Sequence, residues 1–171
     1  MRRAAALALA LALAPLGGCG LQPLYAGGAS GKVGQALAGV EVGPIGGRGG
    51  WLVRNALTDR LSAAGGGTPR YRLDVVLDDQ IQGFGVQRNA TVTRERRTLR
   101  ARYKMIDVKD GTVVLDATAG SDAGIDVVTS EYAVIAAEQT ALENLSQQLA
   151  DQIVARVALY ARRGGAPTAA Q

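Results

Sequence analysis

The chain has no histidine among its 171 residues and a single cysteine, Cys19. Without histidine, the commonest general base and metal ligand is missing. With one cysteine, no internal disulfide can form. Phenylalanine and tryptophan occur once each, as Phe84 and Trp51, and aromatic residues make up 4% of the chain. No phosphate-binding, dinucleotide-binding or nucleophile-elbow motif is present, and no metal-ligand spacing. Gly83-Phe84-Gly85 is too short for a phosphate loop. Asp74, Asp78, Asp79 and Asp116 are the only candidates for a carboxylate-pair hydrolase, and ion pairing explains them better. The sequence therefore argues against an enzyme, and no cofactor is expected.

The longest apolar run, Ala4–Ala14, falls short of the about 20 residues a transmembrane helix needs. It follows Arg2 and Arg3 and precedes Leu16-Gly17-Gly18-Cys19. A charged start, an apolar stretch and small residues before a cleavage point read as an export signal covering residues 1–18. Leu16–Cys19 resembles the bacterial lipobox, which implies cleavage before Cys19 and lipid attachment to it. Several acyl chains give stable anchoring where one does not. Gly20 after the cysteine implies the outer membrane by the same resemblance. Residues 19–35 read as a lipidated N-terminus and glycine-rich tether. Leu24 and Tyr25 are candidates to dock on the domain or meet the membrane interface. Residues 36–163 read as one domain, and residues 164–171 as a disordered tail.

What the chain does have is Arg94–Lys104, where six of eleven residues are basic. As a strand it separates by parity. Leu99, Ala101, Tyr103 and Met105 share one face; Arg94, Arg96, Arg100, Arg102 and Lys104 share the other. At about 3.3 Å per residue the cations form a ladder roughly 33 Å long. A solvated outer face of a half-buried sheet fits this pattern, and so does a site for an anion. Removing Arg2 and Arg3 lowers the formal charge from +4 to +2, so the excess is local. An exported, lipidated chain rarely meets nucleic acid. Lipid phosphates, lipopolysaccharide and acidic protein surfaces are the anions at hand.

The remaining pattern predicts the architecture. A short strand is expected within Leu37–Ile45, then a mobile glycine loop over Gly43–Gly50. Val53, Leu57, Leu61 and Ala64 have helical spacing, predicting a helix over Trp51–Ala64, with Trp51 as a core or edge anchor. Tyr71–Gln82 alternates as a strand, and Gly83–Gly85 is a candidate bulge. After a turn at Gln87–Ala90, Thr91–Asp107 is the basic strand. Lys109-Asp110-Gly111 signals a hairpin, and Thr112–Ala119 is the next strand, with Val113, Leu115, Ala117 and Ala119 inward. Gly120–Thr129 reads as a loop or ragged edge. Ser130 is a candidate cap for a helix running to about Arg163, with Ile135, Leu142, Leu145, Leu149, Ile153, Val157 and Tyr160 as its apolar stripe. The fold class is α+β: a two-layer sandwich in the order β-α-β-β-β-α. Its four-stranded, largely antiparallel sheet carries two helices on one face. The ladder lies on the other face, in the central strand of the meander, beside Asp74, Asp78 and Asp116.

These pieces resemble the LptE family of lipopolysaccharide-assembly lipoproteins. The resemblance is carried by Cys19-Gly20-Leu21-Gln22-Pro23-Leu24-Tyr25, by Leu52–Leu57, and by Arg88-Asn89 at the turn. Ala101-Arg102-Tyr103 and Tyr132-Ala133 complete it. It implies a place inside the lumen of the outer-membrane barrel LptD, as plug and assembly partner, and binding of lipopolysaccharide. The implied lipid-binding candidates are Arg88, Arg94, Arg96, Arg100, Arg102 and Lys104, with Arg88 the most ligand-facing. The alternative is an accessory lipoprotein of a lipid-transport complex that docks only to protein.

Overall fold

The computed structural model describes residues 28–63, 65, 67–86 and 92–164. After a 3-10 turn at Gly28–Ser30, the elements are α1 (Lys32–Ala38), β1 (Val40–Val42) and α2 (Gly47–Ser62). They are followed by β2 (Tyr71–Val86), β3 (Val92–Asp107), β4 (Val113–Asp126) and α3 (Glu131–Arg162). The sheet order is β1-β2-β3-β4, with β1 parallel to β2 and the other pairs antiparallel. The basic strand is thus central, and the α+β sandwich is as expected. The additional element is α1, where the sequence read as tether; it is only seven residues long and interrupted by Gly34.

The alternation in β2 and β3 puts Leu73, Val75, Leu99, Ala101, Tyr103 and Met105 on one face, all buried under the helices. Leu57 and Val53 of α2 and Leu145, Leu149, Ile153 and Val157 of α3 close the core. The two helices run side by side in the same direction. Gly49 packs near Leu142, and twelve positions on from Leu142 the core is still apolar at Val154. Arg60 reaches Asp151 at 2.6 Å. Because α3 starts well before it meets α2, its first turns overhang.

That overhang corrects one expectation. Ile135 is 55% exposed and belongs to no core stripe; the buried stripe starts at Ala141. Trp51 is 62% exposed and anchors nothing in the core, because the buried face of α2 runs through Gly50, Val53, Ala56, Leu57 and Leu61. The glycines Gly47–Gly50 are not a loop but the first turn of α2. Gly47 enters it at φ +77°, and a side chain at Gly50 would sit 2.6 Å from the carbonyl oxygen of Ile45. Close packing of backbone on backbone explains Gly50, and the positive φ explains Gly47, rather than mobility.

Three further differences lie in the meander. Gly83–Gly85 makes no bulge: the β2–β3 register runs without a break from Tyr71↔Asp107 to Val86↔Val92. β4 continues to Asp126, so Gly120–Asp126 is strand, templated by the long β3. A register shift falls between Met105 and Ile106. It turns Val113 outward, 45% exposed, and lets Val114 pack against the core instead. Ser130 precedes α3, but its carbonyl, not its hydroxyl, accepts the bonds from Ala133 and Val134.

Replacing Ile153, fully buried, by alanine is expected to cost about 2–5 kcal/mol. The same change at Ile135 is expected to stay within about 0.5 kcal/mol. Urea unfolding of the two variants checks the corrected boundary of the core.

Candidate functional site

The register fixes which side chains meet on the open face. Rows across β2, β3 and β4 read Asp74–Lys104–Asp116, Val76–Arg102–Thr118, Asp78–Arg100–Gly120, Gln80–Thr98–Asp122, Gln82–Arg96–Gly124 and Phe84–Arg94–Asp126. Glu41 of β1 sits beside Arg72. The face therefore carries six cations (Arg72, Arg94, Arg96, Arg100, Arg102, Lys104) and six acids (Glu41, Asp74, Asp78, Asp116, Asp122, Asp126). The structure brings five of the six predicted lipid-binding cations together in one line. Cys19 and Arg88 lie outside the described residues.

Most of the ladder is neutralised in place. Arg94 reaches Asp126 at 2.8 Å, and Arg96 lies 4.0 Å from Asp122 while stacking over the Phe84 ring at 5.4 Å. Arg102 donates two hydrogen bonds to Asp116, which Lys104 approaches at 3.9 Å. Those bonds hold the Asp116 carboxyl below its ordinary range. Asp74 pairs with Arg72 of its own strand, not with the ladder, and Asp78 accepts from Gln80. Asp122 and Asp126, read from sequence as loop residues, supply the neutralising charge that was missed.

Arg100 is the exception. Among the described residues no carboxylate lies within ion-pair distance of it. Its side chain extends over Gly120, where an added Cβ would meet the guanidinium at 3.1 Å. A shallow depression of about 550 Å³ surrounds it, lined by Val76, Asp78, Arg102 and Thr118. A planar donor array beside open space is suited to bidentate recognition of phosphate or carboxylate.

A second charged group lies on the core face, where the helix layer thins. Arg97 shares parity with Leu99, so it points toward the helices and only 12% of its side chain is exposed. It grips Asp79 through two bonds of 2.9 and 2.6 Å and donates a third to the backbone carbonyl of Glu138. Glu95, one step further out, has one carboxylate oxygen enclosed without a partner. Burial raises its pKa, and the nearby Glu138 raises it further. The alternation of the strand could have flagged both residues, since Glu95 and Arg97 occupy inward positions.

No group of three or more metal-ligating side chains occurs among the described residues. No helix of the described residues is long and apolar enough to cross a membrane.

A family model described as lipopolysaccharide-assembly, LptE, matches residues 37–157, from the end of α1 into the last turns of α3. The chain belongs to the LptE family. Solved structures share the fold. A candidate lipoprotein of Caulobacter crescentus CB15 is 24% identical, with a TM-score of 0.63 over 77% of this chain and 98% of that one. A minor lipoprotein of Acinetobacter baumannii is 12% identical, with a TM-score of 0.58 over 70% and 90%. The rare lipoprotein B of Shewanella oneidensis is 11% identical, with a TM-score of 0.56 over 72% and 96%. No curated protein matches by sequence.

Two outcomes follow for the charges. Arg97→Ala is expected to destabilise the LptE domain by about 2 kcal/mol, since it strips two acceptors of charge-assisted bonds. Arg94→Ala, an exposed pair, should cost about 1 kcal/mol at most. Because the folded state raises the pKa of Glu95, its ionised form opposes folding. Stability is therefore expected to fall as pH rises through that raised value. Glu95→Gln should raise the melting temperature at pH 7.5 and lose that advantage below about pH 4.5, checked by melts across the range.

Proposed function

We propose that this LptE-family lipoprotein plugs and helps assemble the outer-membrane barrel that translocates lipopolysaccharide, as the partner of an LptD protein. It binds lipopolysaccharide during insertion into the outer leaflet. It acts without catalysis, and Cys19 carries the lipid anchor that holds the domain at the outer membrane, facing the periplasm or within the barrel lumen. The family match across the whole sandwich supports the assembly role.

The observation that carries the lipid contact is Arg100, the ladder cation with no carboxylate within ion-pair distance among the described residues, beside an open depression. Phosphates of the lipid A type and acidic core sugars offer the oxygen pairs that a guanidinium takes in parallel. Arg94, Arg96, Arg102 and Lys104 would add to the local potential while remaining paired within the sheet. Arg88, between β2 and β3 in the sequence, is the further contact expected from the resemblance.

The near balance of charge on this face favours a second reading, in which the ladder meets protein only. The two separate cleanly in a binding experiment. Arg100→Ala is expected to weaken lipopolysaccharide capture by about tenfold, or about 1.4 kcal/mol, while the domain melts as the parent does. Arg94→Ala should change capture little. Equal capture by the parent and Arg100→Ala at low salt, where surface charge counts most, would leave the protein-only reading standing. Co-purification of the barrel tests the plug role itself.

A further inference from the structure

The two edges of the sheet are treated differently. On the β4 edge, the Gln152 side chain of α3 bonds both the N–H and the C=O of Gly120, at 3.3 Å each, as a neighbouring strand would. Ser121 is held by Gln148 nearby. On the β2 edge, β1 pairs only with Tyr71–Leu73, and the N–H of Gly43 adds one bond to the carbonyl of Leu73. Beyond that point β2 has no strand partner on its outer side among the described residues.

The pairing pattern identifies the free groups. Val108 donates to the carbonyl of Arg70, so even-numbered residues of β2 bond to β3. The Leu73 carbonyl faces β1, so odd-numbered residues face outward. The register is unbroken, and Asp79, Ile81 and Gly83 therefore present their N–H and C=O groups outward. Every residue from Asp78 to Phe84 is exposed. Val76 is 72% exposed, Ile81 41% and Phe84 40%. No lysine, arginine or proline occurs in β2 after Arg72, so neither a cation nor a missing N–H blunts this edge.

We propose that this edge receives an extended segment of the barrel partner, added as a fifth strand beside Asp78–Phe84 and carrying basic residues among apolar ones. The inference rests on the barrel-plug reading above. Backbone pairing supplies the attraction, and side chains over Val76, Ile81 and Phe84 supply the fit. Asp78 is held only by Gln80 among the described residues and leaves an acid on the open face beside this edge, which matches a cationic segment; Asp79, on the other face, is already gripped by Arg97. Asp78 also disfavours a second copy that would bring its own Asp78 opposite it on this edge.

The described ends lie away from it: Gly164, and Lys32 and Gln35 of α1, line one cavity with Tyr71, at the opposite end of β2. Ile81 is ten residues, roughly 33 Å, further along the strand.

Proline provides the test, because it deletes one N–H. Ile81→Pro removes an outward donor and leaves the β2–β3 ladder intact. Gly124→Pro does the same on the β4 edge, away from the Arg100 depression, and serves as the control. The full lipidated chain is expressed with its barrel and purified through the lipoprotein. Gly124→Pro should retain the barrel as the parent does, and Ile81→Pro should lose it by about tenfold, or about 1.4 kcal/mol. Should Ile81→Pro fail to fold by circular dichroism, Ile81→Lys, an edge-blocking charge, takes its place with the same expected loss. Full retention by the folded Ile81 variant overturns the proposal while leaving the plug reading intact. So does equal loss at both edges, or a homodimer of the purified lipoprotein that the Ile81 variant abolishes. A parent chain that captures no barrel overturns the reading beneath it, and the proposal with it.

Discussion

The antiparallel pairing of β2 with β3 is the constraint on which the rest depends. Its register holds without a break over the length of both strands. Because side chains alternate with a period of two, one slipped residue would carry Leu99, Ala101 and Tyr103 to water and the arginines beneath the helices. The burial of that apolar set selects the register, and the register then decides which charge meets which. The chemistry of the open face is thus a by-product of packing on the hidden one.

The helix layer is shorter than the sheet it covers, and this explains the charged group at the far end. Where α2 and α3 both overlie the strands, the inward positions are Leu73, Leu99 and Tyr103, all buried. Where only the overhanging start of α3 remains, inward positions become Asp79, Arg97 and Glu95. Arg97 bridges sheet and helix there, reaching both Asp79 and the backbone of Glu138. An ion pair suits this intermediate exposure, since full burial of its charges would carry a large desolvation penalty.

Much of this was legible in the residues. The parity of Tyr71–Leu77 and of Leu99–Met105 specified the central pair, and the spacing from Leu142 to Tyr160 specified the long helix. Failure came where local signals and tertiary context disagree. Gly120, Asp122, Gly124 and Asp126 carry the composition of a loop, yet pairing with a long neighbour keeps them extended. Gly47–Gly50 looked mobile because glycine is intrinsically permissive, whereas contact with Ile45 is what demands it at position 50. The ladder itself was visible, and so was Asp116 beside it, but the rest of its neutralisation was not: Asp122 and Asp126 are distant in sequence and meet Arg96 and Arg94 only through register.

The side-chain amide of Gln152, lying along Gly120, has a meaning beyond local satisfaction of two backbone groups. A sheet with two open edges can be extended head to tail, each copy offering what the next accepts, and such growth has no natural end. Here one residue of that border, Gly120, has both of its backbone groups taken from within the same chain. A strand approaching that border meets an interruption that the other border does not present, which works against propagation.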